Sequence, residues 1–69
     1  MKKLKIEYCF NVRGYTILKL DELVPSNYDY VKIDGITYKK ELIYDAPYCV
    51  AIKSNDDFTG KEIVFINKN

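Results

Sequence analysis

At 69 residues the chain is expected to form one small domain, 1–69, of a size that buries only about 60% of its unfolded surface. Hydrophobic residues at 48% and charged residues at 30% exclude disorder, and a net charge of +1 argues against a strong general field for nucleic acid or an anionic membrane. No apolar run approaches the roughly 20 residues of a membrane-spanning helix.

The opening MKKLKIEYCF starts with lysines, then alternates charged and apolar residues without the continuous apolar stretch of a signal peptide. It reads as part of the fold, and the protein as cytoplasmic. Leu4, Ile6, Tyr8 and Phe10 fall on one face, with Lys5, Glu7 and Cys9 on the other, the period of a half-buried strand. Asn11 to Gly14 supply turn chemistry, and Tyr15 to Leu20 is a second β-rich run, so a hairpin is expected. Asp21 to Asn27 break the pattern. Asp21 is placed to cap at most one short 3₁₀ turn near 21–25, and Pro25 forbids a longer helix.

Residues 28–45, YDYVKIDGITYKKELIYD, carry the strongest local signal. Asp34-Gly35 between alternating β-formers predicts a two-residue type I′ hairpin loop, which needs positive φ at both positions. That loop sets the register: Ile33 opposite Ile36, Lys32 opposite Thr37, Val31 opposite Tyr38, Tyr30 opposite Lys39 and Asp29 opposite Lys40. The core face is then Val31, Ile33, Ile36, Tyr38 and Leu42. The wet face is Tyr30, Lys32, Thr37, Lys39 and Glu41. Tyr44 to Pro47 form a turn, Tyr48 to Lys53 alternate with Tyr48, Val50 and Ile52 together, and 54–57 is a polar turn. Lys61 to Ile66 form the last strand, apolar on both faces as a covered strand is.

These segments predict an all-β fold: a small bent sheet or SH3/OB-like barrel of five to six short antiparallel strands. Curling removes most of the exposed edges. The expected core includes Ile6, Val31, Ile33, Tyr38, Val50, Ile52, Ile63 and Phe65.

Catalytic residue sets are sparse. The chain has no histidine, hence no imidazole base and no Ser-His or Cys-His pair. Cys9 and Cys49 are far apart and form no CxxC; one disulfide between them is the alternative, but without a secretory signal they read as reduced thiols packed in strands. Asp56-Asp57 lacks the spacing of a calcium loop and reads as a solvated turn. Gly14, Gly35 and Gly60 are isolated and make no phosphate-binding loop. No enzyme activity, cofactor or metal is expected.

Tyr28, Tyr30, Lys32 and Lys39 form the surface with most character. Stiff, amphipathic tyrosines suit a protein interface, and seven tyrosines exceed what so small a core holds. The same residue types also suit a platform for single-stranded nucleic acid, though the balanced charge and lone Arg13 make that the alternative. A small-ligand sponge for nucleotide messengers, with a pocket at an oligomer interface, is a second alternative. An edge left unpaired would favour a homodimer.

The Ile33-Asp34-Gly35 hairpin, the Tyr44-to-Pro47 turn and the closing segment Phe58 to Ile66 (FTGKEIVFI) together resemble small all-β proteins of low-GC Gram-positive bacteria, their phages and mobile elements. No named family is matched. Ten lysines against one arginine fit the same AT-rich coding. The resemblance implies a non-catalytic protein that binds a host protein, such as one of a defence system, and inhibits or modulates it by occupying a site in the host cytoplasm.

Overall fold

The computed structural model describes residues 2–43 and 45–67. Met1, Lys68, Asn69 and Tyr44, the first residue of the expected turn at 44–47, lie outside them. The described residues are all-β, in seven antiparallel strands where five to six are expected. These are β1 (Lys2–Val12), β2 (Tyr15–Leu20), β3 (Tyr30–Ile33), β4 (Ile36–Lys39), β5 (Glu41–Leu42), β6 (Cys49–Lys53) and β7 (Glu62–Ile66). Their order in the sheet is β4-β3-β7-β1-β2-β6-β5.

The extra strand comes from an interruption. β4 and β5 lie at the two ends of this order yet are separated in sequence by Lys40 alone, so the sheet nearly closes into a barrel. Lys40 still holds the β3 ladder, its N–H donating to the Asp29 carbonyl at 3.0 Å. Its side chain turns inward, where the ammonium donates to the Pro25 carbonyl at 2.8 Å and lies 5.7 Å from the centre of the buried Phe65 ring. Burial pulls this ammonium below its usual pKa, and the Asp29 carboxylate works against that pull.

The two hairpins follow the turn chemistry. Asp34 and Gly35 have φ of 52° and 81°, and Ile33 pairs with Ile36 in the expected register. Arg13 and Gly14 repeat the arrangement at 50° and 85°, with Val12 opposite Tyr15.

The core consists of Leu4, Ile6, Leu18, Leu20, Val31, Ile33, Val50, Ile52, Phe58, Ile63 and Phe65. Seven of the eight expected core residues are among them, and Tyr38 packs half-buried against them, its ring 5.9 Å from that of Phe58. Buried Thr16 is fully bonded. Its hydroxyl donates to the Ser54 carbonyl at 2.9 Å and accepts from the Asn11 amide at 2.8 Å.

Several face assignments are corrected. In β1, Leu4 and Ile6 are buried, but Tyr8 and Phe10 are exposed and Cys9 faces in. Ile6 pairs with Leu20 and Tyr8 with Lys19, so Glu7 is an extra residue, a β-bulge that flips the alternation beyond it. Its location has a structural reason. β1 pairs with β7 over Lys2–Lys5 and with β2 from Ile6 onward, and the added twist of a bulge carries the strand from one half of the barrel to the other.

Asp21 caps no helical turn, and none is present at 21–25. Its carboxylate accepts the Lys5 N–H and its own N–H donates to the Lys5 carbonyl, both at 3.1 Å, which ties the end of β2 to β1 next to the bulge. Ile36 is 57% exposed because it follows the turn directly, past the end of the core. Leu42 is 69% exposed because it lies beyond the interruption at Lys40. Tyr48 precedes β6 and stays outside, with the Lys19 ammonium 5.2 Å from its ring centre.

Candidate protein-binding surfaces

The outer surface of the barrel divides into two faces. The first is formed by β4, β3, β7 and the first half of β1. Cross-strand register places Lys39 opposite Tyr30 and Thr37 opposite Lys32. Tyr30 and Lys32 in turn face Ile66 and Val64, and Lys3 and Lys5 face Val64 and Glu62. Three of the four expected site residues, Tyr30, Lys32 and Lys39, therefore share one outward face. Tyr28 lies at the edge of this face: its ring packs inward, 6.4 Å from Phe65, and it lines a shallow cleft of about 360 Å³ with Asp29, Tyr30, Lys39, Lys40 and Leu42.

Lys3 and Lys5 were not anticipated for this face. The signal was in the sequence, since the alternation of β1 sets both lysines opposite Leu4 and Ile6, but their nearness to Lys32 depends on β7 lying between β1 and β3. Lys3 pairs loosely with Glu62 at 3.9 Å, and Lys61 binds Asp34 at 2.6 Å at the hairpin end. The Asp34 hydrogen bond raises the Lys61 pKa.

The second face is formed by the second half of β1 with β2 and β6. Tyr8 and Phe10 are 52% and 48% exposed, and their rings stack at 6.5 Å with 25° between planes. Val12 continues the row. Ile17 lies opposite Phe10 and Tyr15 opposite Val12. Charge here is paired: Lys19 binds Glu7 at 2.6 Å, and that hydrogen bond raises the Lys19 pKa. The sequence pattern hid this face, since alternation without a bulge buries Tyr8 and Phe10.

Behind the second face, the 56–60 loop is held to Cys9. The thiol donates to the Asp57 carboxylate at 3.2 Å and accepts the Phe58 N–H at 3.2 Å. Asp57 also accepts the Thr59 N–H at 3.0 Å. The Thr59 hydrogen bonds, then that of Cys9, hold the Asp57 carboxyl below the ordinary aspartate value. Both cysteines are unbridged and half-buried. No helix among the described residues is long and apolar enough to cross a membrane, and no three His, Cys, Asp or Glu side chains among them converge as metal ligands.

Compared with protein-family models, with curated proteins and with solved structures, the chain gives no match.

Proposed function

We propose that the chain is a non-catalytic protein-binding module that acts by occupying a site on a larger partner. One observation carries this reading: the exposed row of Tyr8, Phe10 and Val12 on the outer face of β1, beside Ile17 and Tyr15 of β2. Aromatic side chains are enriched at interface centres and charged ones depleted there. A half-exposed Phe offers on the order of 100 Å², and covering it is worth about 2 kcal/mol at the usual coefficient. The lysine face around Tyr30, Lys32 and Lys39 would orient the module toward an acidic rim on the same partner. A host protein in a low-GC Gram-positive bacterium, such as one of a defence system, is the partner that the sequence resemblance points to.

A second reading is single-stranded nucleic acid on the first face, favoured by the four outward lysines Lys3, Lys5, Lys32 and Lys39 around Tyr30.

Tagged chain used as bait in a low-GC bacterial lysate tests both. One stoichiometric partner is expected, lost from a Tyr8→Ser, Ile17→Ser variant that folds and kept by Lys32→Glu, Lys39→Glu. A partner kept by the first variant would move the contact off this face. If a labelled oligonucleotide is instead retained at low salt and released by the lysine variant, the second reading stands. Recovery of neither would remove both.

A further inference from the structure

We propose that the second half of β1 is a self-association edge, at which a second copy of the chain adds its own β1 in antiparallel register about Phe10. This goes beyond the binding reading above and stands without it, because it concerns the edge of the strand and not its outer face.

The edge is open by topology. β1 pairs with β7 over Lys2–Lys5, and the Ile6 N–H and carbonyl still bond to Lys61 and Gly60. From Tyr8 to Val12, β2 is the partner strand, and no strand among the described residues lies on the other side. The direction of the main-chain groups follows from the hairpin. A two-residue loop makes Val12 and Tyr15 a hydrogen-bonded pair, so Val12, Phe10 and Tyr8 bond to β2. Asn11 and Cys9 then point their N–H and carbonyl groups toward the open side.

Proteins guard such an edge with lysine, proline or a short strand. The segment Tyr8-Cys9-Phe10-Asn11-Val12 contains neither lysine nor proline. The other two ends of the sheet, β4 and β5, are guarded because they nearly meet around Lys40.

The occupant is specified by self-complementarity. With Phe10 opposite Phe10 of the second copy, Cys9 of each copy lies opposite Asn11 of the other, and all the outward main-chain groups of these residues pair. Tyr8 meets Val12 of the second copy, so the apolar row doubles in length on one continuous face. Glu7 and Arg13 stand at opposite ends of the segment, and the antiparallel alignment brings each toward its opposite in the second copy. A parallel alignment sets like charge beside like.

Sedimentation of the chain alone, from micromolar to submillimolar, is expected to show its mass rise to twice 8.1 kDa. Amide exchange at Cys9 and Asn11 is expected to slow at least tenfold over the same range, a readout that needs no substitution. In a Cys9→Ser, Cys49→Ser background, Phe10→Cys is expected to oxidise to a covalent dimer at least tenfold faster than Lys32→Cys. Non-hydrogen-bonded antiparallel pairs hold their Cα atoms about 4.5 Å apart, within disulfide reach. A chain that stays monomeric, or that dimerises with the Cys9 and Asn11 amides unprotected, overturns the proposal. Protected amides without preferential crosslinking overturn the register about Phe10. Because no partner protein is present, these outcomes are independent of whether the bait recovers one.

Discussion

The same strand builds both outer faces of this barrel, with opposite results. Over Lys2–Ile6, β1 runs along β7 and the residues leading into it, its outward residues Lys3 and Lys5 are lysines, and its inward ones are Leu4 and Ile6. Over Tyr8–Val12, it has β2 on one side and no strand among the described residues on the other, and its outward residues are Tyr8, Phe10 and Val12. One inserted residue, Glu7, separates the two regimes. A single bulge therefore does more than adjust twist. It decides that two aromatic side chains meet solvent and that a thiol meets the core.

The sharpest way to break this contrast is to insert one alanine between Glu7 and Tyr8. A second extra residue turns Tyr8 and Phe10 toward the core and Cys9 outward, since a one-residue slip moves a whole set of side chains to the other face. Forcing two aromatic rings into a filled core costs about 1–3 kcal/mol each, so a loss of about 2–6 kcal/mol is expected by urea denaturation. Deleting Glu7 instead restores plain alternation with Leu4, Ile6 and Cys9 inside, and is expected to cost less than the insertion. An insertion variant of native stability would show that the bulge does not divide the faces.

Smaller changes separate the two hairpins. Gly14 and Gly35 stand at φ of 85° and 81°, where an alanine is strained by about 1–2 kcal/mol. Gly14→Ala is expected to weaken the apolar face, raising exchange in β1 beyond Tyr8, and Gly35→Ala to weaken the lysine face in β3 and β4. Equal changes throughout the chain in both variants would mean that the faces unfold as one unit.

The smallest effect is on the pH response. Asp57 has its pKa depressed in the folded chain, chiefly by the Thr59 hydrogen bonds. Its contribution is therefore present above the ordinary carboxylate range and fades as pH falls through the folded value. In acid, amide exchange at Phe58 and Thr59 is expected to rise before that at Lys32 and Thr37, and Asp57→Asn should abolish the difference. Simultaneous loosening of both regions would assign the acid response to another group.

What the sequence discloses is what local chemistry decides. The hairpin at Asp34-Gly35 and its full register are legible because positive φ at two successive residues is demanded by the turn and suits Asp and Gly. The core residues of β3 and β6 are legible from alternation, whereas β7 is apolar throughout and its inward pair, Ile63 and Phe65, is selected by the pairing with β1 and β3. The bulge is not legible, because nothing in Ile6-Glu7-Tyr8 marks an extra residue; its cause is the change of partner from β7 to β2, which is a property of the whole barrel. Asp21 misleads for a related reason: an aspartate before a proline-bearing loop reads as a cap, whereas here its carboxylate accepts a distant strand amide. Of the expected site, Tyr30, Lys32 and Lys39 share a face as the register requires. Tyr28 precedes β3, beyond the reach of that rule, and turns toward Phe65.

The position of β7 has a consequence for how the chain acquires its structure. Residues 62–66 lie between β1 and β3, so Lys2–Lys5 and Tyr30–Lys32 share a partner that is made after both. A nascent chain can close its local hairpins early, but the ladder joining residue 2 to residue 65 awaits the synthesis of β7. Closing that span costs chain entropy before any contact rewards it. Folding dominated by such distant pairings runs in milliseconds to seconds, not microseconds. During that interval the Lys2–Lys5 edge is unpaired on an unfinished sheet, and the order of synthesis itself sets how long it stays so.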